Sequence, residues 1–228
     1  MMTEKVILIT GASSGIGAAS AKKLVADGHK VALTARREDK LSELVSELGA
    51  DNAVAFPADA TDYQAQCHVV EKTVAHYGRL DAAFANAGTG VSTPGTEDGN
   101  VEEWDALIDI NVKALLYTAK ATLPHLRKTE GHFLLTSSAA GRRPIKGSIY
   151  GASKWFAYGF GQNLAEEMEA WKGRCTTICP GVVNTPFFDE PKDTKIQPED
   201  VADAVSHAIA APHRTNIREV YMMPTYTG

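Results

Sequence analysis

Seven short apolar runs punctuate the chain, near residues 5–10, 30–35, 53–57, 80–86, 131–137, 174–179 and 218–222. The first, Val6-Ile7-Leu8-Ile9, is too short for a helix and rich in β-branched residues, as expected of a strand buried on both faces. Longer stretches with helical patterns separate the runs, near 15–27, 38–48, 62–77, 101–127, 148–171 and 198–210. This strand–helix alternation predicts an α/β fold, a parallel sheet with helices on both faces. The 228 residues suit a single domain over 1–228 with a substantial core. No repeat of 20–50 residues and no low-complexity tract breaks the pattern.

The first run passes into Thr10-Gly11-Ala12-Ser13-Ser14-Gly15-Ile16-Gly17 and then into an alanine- and lysine-bearing helical segment. Strand, glycine turn and helix together present backbone N–H groups and a positive helix end to a phosphate. The spacing is G-x-x-x-G-x-G rather than the usual dinucleotide G-x-G-x-x-G. With Thr10 ahead of it, the string resembles the opening of the short-chain dehydrogenase/reductase family. Five further motifs follow in that family's order, and the resemblance spans essentially the whole chain.

The resemblance implies a Rossmann-type doubly wound sheet of about seven strands in the order 3-2-1-4-5-6-7. Ligands in such sheets bind outside the carboxyl ends of the strands, where the strand order reverses. It implies an NADP(H)-dependent oxidoreductase acting on a small carbonyl/alcohol pair. Gly11, Ser13, Ser14, Gly15, Ile16 and Gly17 would hold the cofactor phosphates. The second strand ends in Arg36-Arg37, with no acid to meet a ribose 2′-hydroxyl, and a guanidinium there suits a 2′-phosphate. NADP is therefore favoured over NAD, and Arg36, directly after the acid's position, is preferred over Arg37. Ser13 could add a hydroxyl to that phosphate.

Asp59, with Ala60, matches the family position beside the adenine, while Asp62 or Thr61 reads as a helix N-cap. Asn86-Ala87-Gly88 matches the family's Asn-Asn-Ala-Gly motif, with Ala85 in place of the first Asn. Pro180, Gly181, Val183 and Thr185 match the segment along the nicotinamide. Asn111 matches a residue that breaks its helix locally and holds a water for the proton path.

Tyr150 and Lys154 are four residues apart at a helix start and so share a face. A free tyrosine titrates near pH ~10 and is a poor acid–base group at neutral pH. A nearby ammonium and the positive helix end favour the phenolate and predict a pKa tuned downward. The family pattern Ser-x-Ala-Gly points to Ser138 as the group that steadies the substrate oxygen, whereas counting back from the tyrosine selects Ser137. Ser138 is kept, because a motif adjoining the strand end fixes geometry better than loop length does. Tyr150 and Lys154 also belong to the cofactor-binding set, Lys154 through the nicotinamide ribose. Substrate loops are expected near 89–100 and 185–197, the second short enough to leave an open site. Arg142, Arg143 and Lys146 lie between serine and tyrosine, as solvated loop charges or as a greeting for an anionic substrate.

The composition, 44% hydrophobic and 22% charged, is that of a soluble globular protein, and the net charge of −5 favours neither nucleic acid nor an acidic membrane. No apolar run reaches the ~18 residues that span a bilayer, and Met1-Met2-Thr3 leads so soon into the first strand that no signal peptide is expected. Cys67, Cys175 and Cys179 are sparse and odd in number, pointing to a reducing, cytoplasmic setting. No His/Cys spacing suggests a metal, and no G-x-S-x-G suggests a serine hydrolase. Apolar residues around more than one face of 148–171 point to a homodimer or homotetramer. The alternatives are an NAD-dependent alcohol dehydrogenase and a non-catalytic NADP(H)-sensing protein on the same fold.

Overall fold

The computed structural model describes residues 4–93, 95–188 and 190–225. Among these, seven strands form one sheet: β1 (Val6–Thr10), β2 (Lys30–Thr34), β3 (Ala53–Ala55), β4 (Ala82–Ala85), β5 (His132–Thr136), β6 (Arg174–Pro180) and β7 (Glu219–Met222). Their order is β3-β2-β1-β4-β5-β6-β7, and every neighbouring pair is parallel. The order reverses beside β1, whose end therefore opens onto a crevice between β2 and β4. This is the Rossmann-type order expected from the resemblance.

Each strand feeds two cores, because successive side chains point to opposite faces. Ile7 and Ile9 of β1 pack on one side with Phe84 and Leu134. They meet Leu24 of α1 (Gly15–Ala26), Leu41 of α2 (Glu38–Leu48) and Val205 of α7 (Pro198–Ala210). Val6 and Leu8 face the other way with Phe133 and Leu135. There they meet Val69 of α3 (Tyr63–Tyr77), Leu115 of α5 (Ala114–Leu126) and Leu164 of α6 (Ile149–Glu169). Burial on both faces explains why the strands read as unbroken apolar runs.

Local chemistry sets the helix ends. Asp62, not Thr61, caps α3 by accepting from the Ala65 N–H at 3.0 Å. α3 stops at Gly78, which is left-handed at φ +79°. The segment expected as one helix over 101–127 is three pieces. α4 (Val101–Ile108) runs into a π turn at Asp109–Lys113 before α5 begins, and Asn111 sits buried inside the wide turn. A π turn spreads the backbone ladder by one residue, which is how a helix yields locally without ending.

Candidate active site

Most of the sequence-predicted site residues lie beyond the carboxyl ends of β1 to β6, Arg36 and Arg37 following β2 and Asp59 and Ala60 following β3, with Asn111 in the π turn and Tyr150 and Lys154 on α6. Gly11 has φ +64°, and a Cβ there would lie 2.9 Å from Ala87 Cα, so the turn after β1 rests directly on the exit of β4. A Cβ at Gly17 would run into the Gly11 carbonyl oxygen. α1 therefore starts hard against the turn. Its N-cap residue, Ser14, makes no side-chain cap bond, which leaves the first N–H groups of a twelve-residue helix open. An open helix start behind a backbone cradle fits an anionic phosphate.

Asn86 ties three strands together. Its N–H donates to Thr10 Oγ1 at 3.1 Å, its Nδ2 to Thr10 O at 3.3 Å, and its Oδ1 accepts from Thr136 Oγ1 at 3.0 Å. Thr10 Oγ1 also accepts from the Ala87 N–H. Ala85, where the family motif has Asn, is buried in the second core. Thr10, read from the sequence only as part of the opening string, and Thr136 were not among the expected site residues. Each closes its strand on the side of the glycine turn, which is the signal that could have found them.

The two arginines divide. Arg37 donates through Nη2 to Ser13 Oγ at 2.9 Å and to Ser14 Oγ at 2.7 Å, closing over the glycine turn. Arg36 instead lies near Asp59, whose carboxyl sits below its ordinary pKa because it accepts the Thr61 N–H, the Thr61 hydroxyl and the Arg36 charge adding to this. The Ala60 carbonyl accepts from Gln66 Nε2 at 2.6 Å.

The serines divide as well. Ser137, though it reaches the lining of the cleft, is buried and spends its hydroxyl on the Lys154 carbonyl at 2.8 Å. Ser138 accepts from the Ala140 N–H at 3.1 Å, which starts a short 3-10 turn, and donates to Pro180 O at 3.4 Å, facing the same cleft as Tyr150. Tyr150 stands on the first turn of α6, which Ser148 caps by accepting from the Gly151 N–H at 2.9 Å. One turn further, Lys154 is 6% exposed and donates to Thr136 O at 3.1 Å. Its Nζ lies 5.7 Å from the centre of the Tyr150 ring.

The electrostatics depart from the sequence expectation. Burial raises the Tyr150 pKa, and the Ser138 hydrogen bond opposes it. The expected downward tuning is outweighed by burial of the phenol itself, and burial also lowers the Lys154 pKa to about 8. Lys154 is thus close to exchanging its own proton at neutral pH. The side chain of Asn111 is fully engaged: Oδ1 accepts from the Thr89 N–H, while Nδ2 donates to Thr89 O and Ser153 Oγ.

Ser138, Tyr150 and Lys154 face a cleft of about 560 Å³ with Ile16, Gly88, Pro180, Gly181, Val183 and Thr185 along its walls. Thr185 stands over the glycine turn, 3.1 Å from where a Gly15 Cβ would be. Arg142, offered by the sequence as a loop charge, is bound to Glu219 at 2.7 Å and stacked over Tyr158. Among the described residues, no group of three His, Cys, Asp or Glu side chains could hold a metal, and no helix is long and apolar enough to cross a membrane.

The short chain dehydrogenase family matches residues 5–196 of this sequence. The chain belongs to that family. It is similar to an oxidoreductase of Staphylococcus epidermidis, 37% identical with 97% of each chain covered. In structure it is similar to an alcohol dehydrogenase from Thermococcus sibiricus complexed with 5-hydroxy-NADP, with a TM-score of 0.92, 29% identity and 99% of each chain covered. It is also similar to serine dehydrogenase from Escherichia coli, with a TM-score of 0.88, 33% identity and coverage of 96% of this chain and 97% of that one. The family is one of oxidoreductases, and the ordered strand-end motifs are what this chain shares with its pattern.

Proposed function

We propose that the protein is an NADP(H)-dependent oxidoreductase that interconverts a ketone or aldehyde with its alcohol. The observation that carries this reading is that the Ser138 and Tyr150 hydroxyls face one cleft, with the Lys154 amine buried one helical turn from the phenol. The Thermococcus sibiricus relative, bound to an NADP derivative, supports the cofactor assignment.

When bound, the cofactor supplies the hydride in reduction and accepts it in oxidation. The open start of α1, with Gly15, Ile16 and Gly17, would hold its phosphates. Arg37, already fixed on Ser13 and Ser14, offers the guanidinium for a 2′-phosphate, and Arg36 flanks it. Asp59 and Ala60 frame the adenine side. Asn86, Ala87 and Gly88 lay backbone alongside the cofactor, and Lys154 binds the nicotinamide ribose. Pro180, Gly181, Val183 and Thr185 line the nicotinamide side.

Ser138 steadies the carbonyl oxygen, and Tyr150 delivers the proton to it. A raised Tyr150 pKa keeps the phenol protonated, as a proton donor must be. In the reverse direction Tyr150 is the base. Lys154, titrating at about 8, restores the proton to Tyr150. Asn111 supports a water path to Lys154 through its π turn, since its side chain is spent on Thr89 and Ser153. The exposed Leu116, Trp155 and Phe156 on α5 and α6 are the surface for a homodimer or homotetramer. The free cysteines Cys67, Cys175 and Cys179 suit a reducing, cytoplasmic setting.

Tyr150→Phe tests the reading. The expected result is a loss of turnover of about 10³-fold over a carbonyl panel, with NADPH affinity retained. Undiminished turnover would overturn it.

A further inference from the structure

Phe187 lies across the mouth of the cleft, over the phenol that the proposed chemistry uses. Its ring centre is 5.6 Å from that of Tyr150 and 5.2 Å from that of Phe188. The residue is 47% exposed, so a large apolar ring is held at the rim rather than in a core. Little holds it there. Its N–H donates to Thr185 Oγ1 at 3.3 Å, and its ring rests on bare backbone at Gly90. A Cβ added at Gly90 would lie 2.7 Å from Phe187 Cζ. Any side chain at that position therefore displaces the ring.

The second observation is charge. Among the described residues lining the cleft, Lys154 is the only cationic one. Its amine donates to Thr136 O and is taken by the cofactor ribose in the reading above. The outer walls are Thr89, Val183, Phe187 and Phe188. Arg142 is engaged with Glu219 and Tyr158, away from the lining. At the rim, Lys192 stands 5.9 Å over the Phe188 ring and 3.9 Å from Glu190. Deeper in, a carboxylate or phosphate on the substrate would be desolvated with no lining cation left to meet it, which is costly.

We propose that Phe187, seated on Gly90, is a specificity-determining aromatic lid that selects neutral aryl ketones and aldehydes over alkyl and anionic ones. The proposal rests on the oxidoreductase reading. Substrate entry lifts Phe187 off Tyr150. An aryl substituent restores an aromatic contact in the opened gap, whereas an alkyl group restores only buried area. An aromatic pair contributes enough beyond its area to give about a two- to tenfold preference.

The test compares kcat/KM with NADPH for acetophenone, cyclohexyl methyl ketone and 4-acetylbenzoate in the wild type, Phe187→Leu and Gly90→Ala. The wild type is expected to prefer acetophenone over cyclohexyl methyl ketone by about two- to tenfold, with 4-acetylbenzoate the poorest. Phe187→Leu should bring the first two to parity. Gly90→Ala, which displaces the ring without removing it, should move the ratio the same way. An aryl preference unchanged in Phe187→Leu overturns the lid, as does a wild type that prefers the carboxylate or alkyl ketone. Both of those results leave the oxidoreductase reading standing. Absence of any Tyr150-dependent turnover across the three ketones and a broad carbonyl panel overturns that reading together with the lid.

Discussion

At the amino-terminal edge of the sheet, Asp81, His132 and Arg174 are buried among the strand ends, with Lys5 half-buried beside them. At the carboxyl edge, Lys154 is buried beside Ser138 and Tyr150. The first group is spent on structure. Asp81 accepts the Val6 N–H at 2.9 Å and the Arg79 guanidinium at 2.6 Å. Arg174 and Lys5 donate to main-chain carbonyls at the end of α7, Arg174 to Ala211 and Lys5 to Ile209. A helix carboxyl end carries negative potential, so cations belong there. Lys154, by contrast, gives one bond to Thr136 O and faces open space. Burial of charge thus does not distinguish a site from a scaffold. A charge facing a cleft, among hydroxyls that face it too, does.

Substitution at each edge should separate the two roles. The largest effect is expected from Lys154→Met, which should cut turnover by about 10³-fold or more while leaving the melting temperature equal or higher. Loss of stability with activity intact would erase the contrast. Next, Asp81→Ala should cost about 1–3 kcal/mol of stability by stranding the Val6 N–H and Arg79, with turnover per folded molecule unchanged. Denaturant melts beside initial rates decide both. Arg37→Ala should weaken NADPH about tenfold and barely touch NADH, with Arg36→Ala the milder variant. Equal loss for both cofactors would remove the 2′-phosphate assignment.

The smallest effects are in pH, and they run from both ends. Burial, with Arg174 and Lys5 nearby, holds the His132 pKa well below 6.5. Below that ordinary value the unfolded chain binds a proton that the folded chain refuses, so stability should fall with acid, and His132→Gln should blunt the fall. Lys154 titrates at about 8 against an ordinary 10.5. Over that interval the unfolded chain holds the extra proton, so stability should rise with pH. The difference between wild type and Lys154→Met isolates this rise, and parallel curves would refute it.

The inner strands were legible because burial on both faces leaves apolar runs. The edge strands β3 and β7 are only partly buried, yet all seven lie where the sequence was read as strand. The glycine turn and the Tyr150–Lys154 spacing were legible because they depend on neighbours in sequence. Choices between adjacent residues were not. Ser137 and Ser138, like Arg36 and Arg37, differ by one position, and the direction of each side chain depends on what packs behind it. Ser137 is taken by the Lys154 carbonyl, and Arg37 by two serines more than twenty residues earlier. Nor did the helical pattern over 101–127 show the π turn, which sits where Asn111 bonds to Thr89 and Ser153.

By itself the sequence determined the strand–helix alternation and the family, since periodicity and short motifs are local properties of a chain. Only the tertiary structure decided which arginine closes over the glycine turn, how Ser137 and Ser138 divide their hydrogen bonds, and that burial raises the phenol's pKa. Those outcomes depend on desolvation and on partners brought together from distant segments, and neither is written in the spacing of residues along the chain.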